Sequence, residues 1–235
     1  MEEKFERIMV ITAHPDDMEF SCGGVIAKQV QQGAEVTLLI LTNGDKGGHD
    51  PAWTPAMLDA IRKQEQDAAA AVLGVRRVIF FDVPDGDLIP SLEMRKKVVA
   101  ELRRYRPDAV FAFDPTTYFM YDAYINHADH KAAGEIALNA LFPACGNQRY
   151  HAELLDEGLE PHKVHHIFLF GSNSPNESVD ISDVLDIKMK AILCHKSQIA
   201  DPDGMLKAFE ERQKAAGENA LEFNREEFRH LRIDG

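Results

Sequence analysis

The sequence contains few cysteines and no long apolar run. Its three cysteines, Cys22, Cys145 and Cys194, are far apart, so they predict neither a disulfide framework nor a Cys-x-x-Cys metal site, and reduced thiols fit a cytoplasmic protein. No segment approaches the roughly 18 consecutive apolar residues of a membrane-spanning helix. The first residues, MEEKFERIMVITAH, lack the apolar core and cleavage site of a signal peptide. These absences argue against an exported or membrane-spanning protein.

Positive charge is also scarce. The chain has 26 Lys and Arg against 39 Asp and Glu, which gives a net charge of -13. Binding to a nucleic-acid backbone needs clustered cations, so nucleic acid is not expected as a partner. Basic residues do cluster from Arg95 to Arg106, with Arg103 among them, but the same predicted helix carries Glu93 and Glu101. We therefore predict that these residues form a solvent-exposed helix face.

Internal repeats, low-complexity segments and Ser/Gly-rich linkers are absent, so residues 1–235 are predicted to form one domain. Apolar runs that are too continuous for exposed strands alternate with segments of helical pattern. The predicted strands span 7–12, 36–41, 78–81, 109–113 and 167–170, the predicted helices span 23–32, 56–73, 92–105 and 130–141, and the charged tail is predicted to be helical. This alternation predicts an α/β fold with a Rossmann-like, mostly parallel sheet of four or five strands and helices on both faces.

Polar loops follow four of the predicted strands. The first strand runs directly into His14, Asp16 and Asp17 within the stretch ITAHPDDMEF, and polar residues also follow the second and third strands at 43–48 and 82–87. Sheets of this kind bind ligands outside the carboxyl ends of their strands, where the strand order switches. We therefore expect these loops to meet at one rim of the sheet.

A second polar cluster, His127-Ala128-Asp129-His130, lies at the start of a predicted helix. Two imidazoles and one carboxylate, with a position left for water, form the ligand set of a hydrolytic zinc site, and the remaining carboxylates and histidine are available for proton transfer. The same ligands suit non-haem iron, and polar turns with helix caps also fit the spacing. A phosphate-binding loop fits less well, because no Gly-rich stretch matches a dinucleotide or Walker A motif.

The order of these motifs resembles the PIG-L/LmbE-like family of metal-dependent N-deacetylases, which includes deacetylases of N-acetylglucosaminyl lipids and thiols and of chitobiose. Its early AHPDD motif with a later Gly pair is similar to Ala13–Asp17 with Gly23 and Gly24, and its HPDH motif is similar to His127–His130. Further similar stretches are Thr42–Gly47 (T-x-G-E-x-G), Arg62–Glu65 (R-x-x-E), Pro84–Leu88 (P-D-G-x-L), His195–Gln198 (H-x-S-Q) and Glu226–Arg229 (E-x-F). The resemblance therefore covers most of the chain.

Three departures from the family pattern are visible. Ala128 stands in place of the proline in HPDH, and Met18 separates the aspartate pair from Glu19. Neither replaces a functional side chain, so we expect little effect on the chemistry. Residues 121–126 match no family pattern, which leaves substrate preference open. The Gly pair is expected to let the first helix pack closely.

The resemblance implies a role for each residue of the two clusters. His14, Asp17 and His130 would bind Zn²⁺, and Asp16 would be the general base on the zinc-bound water. His127 would stabilise the oxyanion and protonate the leaving amine. Neighbouring side chains diverge, so one aspartate of the pair can bind the metal while the other acts as base.

Three further residues acquire roles from the same resemblance. Asp129 would hold His127 in its protonated form, since an opposite charge raises the pKa of a histidine. Arg62 and Asp85 match positions that contact the sugar in family members.

The implied protein is a cytoplasmic, zinc-dependent deacetylase of an N-acetylated amino sugar or its conjugate, with a small-molecule substrate and no nucleic-acid or membrane partner. An amidase for a bulkier sugar or thiol conjugate would use the same zinc chemistry. A metal-binding or sugar-binding module without turnover is a third hypothesis, although it would need neither Asp16 nor His127. Family members often form homo-oligomers, and no apolar stripe in this sequence predicts one.

The remaining histidines lack partners at ligand spacing and are expected on the surface or at helix caps: His49, His151, His162, His165, His166 and His230. Aromatic residues on the predicted rim loops could stack on a sugar face or anchor the loops by packing inward. These aromatic residues are Trp53, Tyr118, Phe119 and Tyr121.

Overall fold

A computed structural model of the chain describes residues 3–120, 124–216 and 224–233. The strands are β1 (Arg7–Thr12), β2 (Glu35–Thr42), β3 (Arg77–Val83), β4 (Ala109–Phe113), β5 (Phe119–Met120), β6 (Tyr124–Ile125), β7 (His166–Phe170), β8 (Glu177–Asp180) and β9 (Arg225–Arg232). The α-helices are α1 (Asp17–Gln31), α2 (Pro55–Leu73), α3 (Leu92–Tyr105), α4 (Ala128–Asn139), α5 (Leu185–Ile192) and α6 (Pro202–Ala216).

Seven strands form one sheet in the order β3-β2-β1-β4-β7-β9-β8, and β5 pairs with β6 in a separate hairpin. The first five strands in that order are parallel, whereas β9 runs antiparallel to β7 and to β8. The register places Val10 of β1 opposite Leu38 of β2 and Phe111 of β4. The chain moves from β1 outward to β3 and then returns to the other side of β1, so the strand order switches between β1 and β4.

The parallel strands are covered by helices in two groups. Helices α1, α2 and α5 pack against one another, and α3 packs against α4. Between these layers, β4 and β7 are buried along their whole lengths, and Phe111 stacks on Phe168 with ring centroids 4.7 Å apart. Burial on both faces explains why these strands are continuous apolar runs in the sequence.

The predicted fold class is confirmed, and all five predicted strands are present as β1, β2, β3, β4 and β7. Helix α2 begins at Pro55 after Thr54, whose side chain accepts a hydrogen bond from the Met57 backbone N–H. It ends at Gly74, which has φ 75°. A proline at the first position and a left-handed glycine after the last are sequence signals that fix both ends of a helix.

The first helix begins earlier than predicted, at Asp17 rather than Gly23. The acidic residues Asp17 and Glu19 occupy its first turn, where the helix dipole favours negative charge. The Gly pair therefore lies inside α1. A Cβ at Gly24 would be 2.7 Å from Ile181, so Gly24 permits close packing, whereas the nearest atom to a Cβ at Gly23 would be 3.6 Å away.

The charged tail is only partly helical, because β8 and β9 add two antiparallel strands to the sheet. The sequence of β9 does not show the alternation of apolar and polar residues that is typical of a strand. The reason is that an acidic residue, Glu226, occupies a buried position next to the buried Phe228. Its carboxylate accepts hydrogen bonds from the N–H groups of Gly24 (2.8 Å) and Val25 (2.7 Å) and lies 2.6 Å from Lys188 Nζ. The buried charge is thereby compensated, which hydrophobic patterning does not reveal.

The prediction that the basic residues of the third helix form a solvent-exposed face is wrong for Arg103. Arg104 and Arg106 are exposed, but only 2% of Arg103 is. Its guanidinium donates hydrogen bonds to five backbone carbonyls, those of Ala144, Cys145, Asn147, Tyr150 and Leu159. Arg103 therefore ties α3 to the segment after α4, and carbonyl oxygens take the place of solvent.

No α-helix in the described part of the chain is both long and apolar enough to cross a bilayer. Cys22, Cys145 and Cys194 are all free thiols, as the sequence predicted.

Candidate metal centre

The predicted site residues meet at the rim of the sheet where the strand order switches. The turn after β1 carries His14, Asp16 and Asp17, and the start of α4, which follows β4, carries His127–His130. Loops after β2 and β3 add backbone and side-chain groups to the same rim, because both strands run parallel to β1 in the same sheet. Contacts link all eight predicted residues: His14, Asp16, Asp17, Arg62, Asp85, His127, Asp129 and His130.

One oxygen of the Asp17 carboxylate is held by backbone N–H groups, and the other faces an imidazole. Its Oδ2 accepts hydrogen bonds from the N–H groups of Ala13 (3.0 Å) and His14 (2.7 Å). Its Oδ1 lies 3.2 Å from Nε2 of His130. The backbone thus fixes the orientation of the carboxylate and presents one oxygen to the imidazole that faces it.

The His14 ring lies between the two clusters of polar residues. Its Nδ1 is 3.3 Å from Nε2 of His130 and 3.6 Å from Oδ2 of Asp17. Its Nε2 is 3.2 Å from Oδ1 of Asp85 and from Oδ2 of Asp129. One ring nitrogen therefore faces Asp17 and His130, while the other faces two carboxylates.

The His130 ring is positioned by Phe113 and Asn126. It stacks on Phe113 with centroids 4.1 Å apart and an interplanar angle of 11°. Its Nδ1 lies 3.1 Å from Oδ1 of Asn126, whose Nδ2 donates to the backbone carbonyl of Thr117 at 2.8 Å. The remaining nitrogen, Nε2, is the one that faces Asp17.

Two groups of side chains have donor atoms close enough to hold a metal ion among the described residues: His14, Asp17 and His130, and His14, Asp85, His127 and Asp129. Histidines that bind metal generally donate their other ring N–H to a carboxylate or carbonyl. In the first group, His14 and His130 both have such an acceptor on the opposite nitrogen. In the second group, Asp129 accepts backbone N–H bonds at both carboxylate oxygens, whereas in the first group both such bonds go to Oδ2 of Asp17 and leave Oδ1 available. The geometry therefore favours the first group.

Strong interactions between opposite charges shift the pKa values of His14 and Asp17. Burial alone would lower the pKa of His14, but hydrogen bonds to Asp129, Asp17 and Asp85 raise it to about 12. Burial likewise opposes ionisation of Asp17, yet His130 and His14 hold its pKa well below its usual range. A carboxylate that stays ionised is what metal binding requires.

Asp16 differs from its neighbour in backbone and environment. Its φ of 98° is in the left-handed region, which is disfavoured for residues with a Cβ. Although Asp16 precedes the first residue of α1, its side chain makes no capping hydrogen bond there. Instead Oδ2 lies 3.3 Å from Nη2 of Arg62. Burial raises the pKa of Asp16 to about 7, and Arg62 only partly opposes this.

Arg62 is a buried part of the site wall, with 3% of its surface exposed. Its guanidinium donates to the carbonyls of Pro15 and Gly44. A Cβ at Gly44 would lie 2.5 Å from Nη1 of Arg62, and one at Gly47 would lie 2.7 Å from it. The glycines of this loop therefore make room for the arginine. The predicted contact of Arg62 with a sugar stays a prediction.

Asp129 interacts with His14 more closely than with His127. Its carboxylate accepts hydrogen bonds from the N–H groups of Gly86 (2.6 Å) and Leu88 (3.3 Å), and it lies 4.0 Å from Nδ1 of His127. That Nδ1 accepts the backbone N–H of Asp129 at 3.2 Å and caps α4. Burial and the positive charge of His14 lower the pKa of His127 and outweigh Asp129, which raises it. The role of Asp129 in holding His127 protonated stays a prediction.

An apolar cavity of about 280 Å³ opens beside Asp17 and His130. Phe20, Phe113 and Tyr124 contribute to its walls. Asp16, Arg62, Asp85 and His127 do not line this cavity. The centre thus has charged groups that are separate from its apolar cavity.

The aromatic residues predicted on the rim have different environments. Tyr118 and Phe119 are 60% and 62% exposed, whereas Trp53 packs against His49 with ring centroids 5.1 Å apart. Tyr121 lies outside the described residues. Within the part of the chain that the structure describes, none of the six histidines expected on the surface or at caps joins either candidate metal group.

Sequence reasoning missed Asn126 and Gln66. Asn126 supports His130, and Gln66 contacts the backbone of Asp16. Each lies directly beside a predicted motif, but a neutral amide side chain gave no chemical signal there. Gln66 lies four residues after Arg62 and so shares its helix face.

Together, the α/β fold with its switch-point rim and the buried His/Asp cluster place side chains that could hold a metal ion where such folds bind ligands, an arrangement typical of metal-dependent hydrolases. The family model described as GlcNAc-PI de-N-acetylase, PIG-L, matches residues 9–141, which is more than half of the chain. The chain belongs to this family, so the predicted membership is confirmed.

Relatives and solved structures agree with that assignment. The chain is 33% identical over 196 residues to the diacetylchitobiose deacetylase of Thermococcus kodakarensis, covering 83% of this chain and 71% of the relative. It is 26% identical to the mycothiol S-conjugate amidase of Streptomyces coelicolor, covering 84% of each. The structure of N,N'-diacetylchitobiose deacetylase from Pyrococcus horikoshii matches with a TM-score of 0.84 and 31% identity over 97% of this chain and 84% of the other.

Proposed function

We propose that this protein is a zinc-dependent N-deacetylase that hydrolyses the acetamide of an N-acetylated amino sugar or its conjugate. The observation that carries the proposal is the pairing of two aspartates in one turn. Asp17 is oriented toward two imidazoles, while Asp16 is turned away from its own helix toward Arg62. A binding module would need the first aspartate but not the second.

The donor set fits Zn²⁺. Two imidazole nitrogens and one carboxylate oxygen without a thiolate are a common protein ligand set for catalytic zinc, and Asp129 and Asn126 support the two imidazoles. A Zn²⁺ held by His14, Asp17 and His130 would supply Lewis-acid polarisation of the amide carbonyl and a lowered pKa for the attacking water.

Asp16 would take the proton from that water. Because its pKa is raised, a large fraction of Asp16 is ionised near neutral pH, and the carboxylate still binds a proton well enough to act as a base. Arg62 directs the carboxylate by contact with Oδ2 and with the preceding carbonyl. The base is thereby fixed before the substrate arrives.

His127 would interact with the oxyanion and the leaving amine. Its side chain is 38% exposed, and Nε2 lies 3.8 Å from Oδ1 of Asp85. Nδ1 accepts a backbone N–H, so the proton of the neutral ring is on Nε2, which can donate toward substrate. The lowered pKa makes the protonated ring a stronger acid for transfer to the amine.

The substrate class is supported by the names of the relatives, which include deacetylases of diacetylchitobiose and an amidase of mycothiol S-conjugates. The charged side of the centre, with Asp85, would face the polar sugar. The apolar cavity next to Asp17 and His130 favours one second candidate, an amidase for a bulkier conjugate, because its volume exceeds that of an acetyl methyl group.

An acetate-release screen tests the proposal. Purified protein loaded with zinc would be assayed on N-acetylglucosamine, diacetylchitobiose and lipid and thiol conjugates of N-acetylglucosamine. We expect acetate from at least one of these, with activity abolished by a chelator and restored by zinc. Release of a larger acyl group only would favour the amidase, and zinc binding without cleavage of any amide would contradict both.

A further inference from the structure

Side chains on one face of α2 contact the turn that carries Asp16. Arg62 contacts the carbonyl of Pro15 and lies 3.3 Å from the Asp16 carboxylate. Gln66, four residues later, accepts the backbone N–H of Asp16 through Oε1 at 3.0 Å. Because residues four apart share a helix face, α2 holds Asp16 at both its side chain and its amide.

The orientation of the Gln66 amide is fixed by Glu19. Gln66 Nε2 donates to Oε1 of Glu19 at 2.7 Å, and both side chains are completely buried. If the amide were reversed, its NH₂ group would face the N–H of Asp16 and its oxygen would face a carboxylate. Gln66 can therefore only act as the acceptor for Asp16 in this environment.

A second layer supports this contact from the H-x-S-Q segment. Oε2 of Glu19 lies 3.4 Å from Nε2 of His195, which is also completely buried. Next to Gln66, Glu65 accepts hydrogen bonds from the N–H (2.7 Å) and hydroxyl (2.6 Å) of Ser197. The segment thus secures both α2 and the carboxylate that orients Gln66.

Asp16 needs such support because another conformation competes. An aspartate before a helix ordinarily has extended φ/ψ, and its carboxylate accepts N–H bonds from the first turn. In that arrangement the Asp16 carboxylate would cap α1 and leave Arg62. The observed φ of 98° avoids capping, and the contact that holds the amide of Asp16 in this conformation is the one from Gln66.

We propose that Gln66 is a positioning residue that keeps Asp16 in its left-handed conformation and so keeps the carboxylate free to act as base. This inference rests on the proposed function, in which Asp16 takes the proton from water. Gln66 is buried and reaches no substrate, so it acts through Asp16 alone.

The test is Gln66→Met, which nearly preserves volume but removes the acceptor. With diacetylchitobiose as substrate, we expect kcat to fall about ten- to hundred-fold, because misplacement of a catalytic group by about 1 Å costs that much. KM and zinc content should stay as in the unchanged protein. Gln64→Met, the same substitution on the exposed side of α2, is the matched control and should leave all three unchanged.

A double-mutant cycle separates positioning from general damage. In an Asp16→Asn background, Gln66→Met should cause no further loss of the residual rate, because the group it positions is already disabled. An equal loss in both backgrounds would overturn the proposal, as would unchanged kcat in the single variant. If Gln66→Met does not fold, Gln66→Asn, which withdraws the amide by one methylene, replaces it in the same cycle.

A crystal structure of the Gln66 variant gives a readout that does not depend on activity. We expect Asp16 to leave φ 98° and its carboxylate to cap α1; an unchanged Asp16 would contradict the proposal. If Asp16→Asn alone kept full activity, the assignment of the base would fail, while the conformational result would still decide the role of Gln66.

Discussion

Two adjacent aspartates in one turn have opposite electrostatic environments. Asp17 is surrounded by N–H groups and imidazoles, which hold its pKa well below the usual range. Asp16 is also buried, but Arg62 compensates the charge of its carboxylate only in part, so the pKa of Asp16 is raised to about 7. The left-handed backbone at Asp16 directs the two carboxylates in different directions. Residues with the same chemistry are thereby prepared for different tasks.

Substitutions at the two positions should have different effects. Asp16→Asn keeps a side chain that tolerates left-handed φ, so we expect it to keep zinc and lose about 10²- to 10⁴-fold in activity, the usual contribution of a general base. Asp17→Ala should lose the metal as well as the activity. Zinc content and acetate release measured on both variants would check this, and full activity in Asp16→Asn would contradict it.

The raised pKa of Asp16 predicts the acid side of the pH profile. Only the carboxylate form accepts a proton, so kcat/KM should fall as the pH drops through the pKa of Asp16. Burial raises that pKa to about 7, and bound Zn²⁺ would lower it by favouring the carboxylate. The midpoint should therefore lie at or below about pH 7 but above the ordinary 3.8. Rates would be measured at saturating zinc from pH 4.5 to 8, with folding checked at each pH. A kcat/KM that shows no fall toward the acid end of this range would contradict the assignment.

At the level of elements, continuous apolar runs made strands predictable. Strands β1, β2, β4 and β7 are almost entirely buried, so their apolar runs are unbroken. The edge strand β3 is only half-buried but has an apolar run of its own, and all five predictions are confirmed. Strand β9 places Glu226 on its buried side, where backbone N–H groups and Lys188 compensate the charge, so its pattern does not look like a strand. The start of α1 was missed because the Gly pair resembled a boundary although it lies within the helix.

Helix α4 should not tolerate a side chain at Gly134. A Cβ there would lie 2.4 Å from the carbonyl oxygen of Phe113, a backbone atom that cannot move aside. His130 is one turn earlier on the same face and stacks on Phe113. We expect Gly134→Ala to destabilise the protein by about 1 to 3 kcal/mol, as overpacking does, and to weaken zinc binding. Thermal unfolding and zinc titration would measure both.

Gly23→Ala is the matched control for that substitution. Its Cβ would meet only ordinary contacts at 3.6 Å, and alanine stabilises a helix interior by roughly 0.5 to 1 kcal/mol relative to glycine. We expect an unchanged or slightly higher Tm and unchanged zinc affinity. Equal behaviour of the two alanine variants would show that the close packing of α4 has no part in holding His130.

At the level of the whole molecule, the sequence predicted which candidate ligands meet in the fold, but not the residues that orient them. His14, Asp17 and His130 belong to compact motifs whose residue types are typical of metal ligands. The fold brings these motifs together at the switch point. Asn126 and Gln66 support the site through amide groups, which occur everywhere in proteins and carry no chemical signature. Their importance depends on side-chain contacts, local ones for Asn126 and one with a distant turn for Gln66, and only the folded structure contains these.

Metal binding should stabilise the entire fold. A ligand that binds only the folded chain adds RT ln(1 + [L]/Kd), which is about 2.7 kcal/mol at a hundred-fold excess over Kd. We therefore expect a chelator to lower the Tm and zinc to restore it. The Asp17→Ala variant should show no such dependence. If neither the chelator nor zinc changed the Tm of the unchanged protein, the proposed metal centre would be contradicted.

The carboxylate of Glu226 inserted against α1 has a consequence for synthesis in the cell. Gly24 and Glu226 are 202 positions apart, so the helix that carries Asp17 lacks this contact until β9 has been made. During translation the N-terminal half of the site therefore emerges long before its last support. A nascent chain would hold its proposed metal ligands only loosely, and full metal affinity would arise only after β9 has been made.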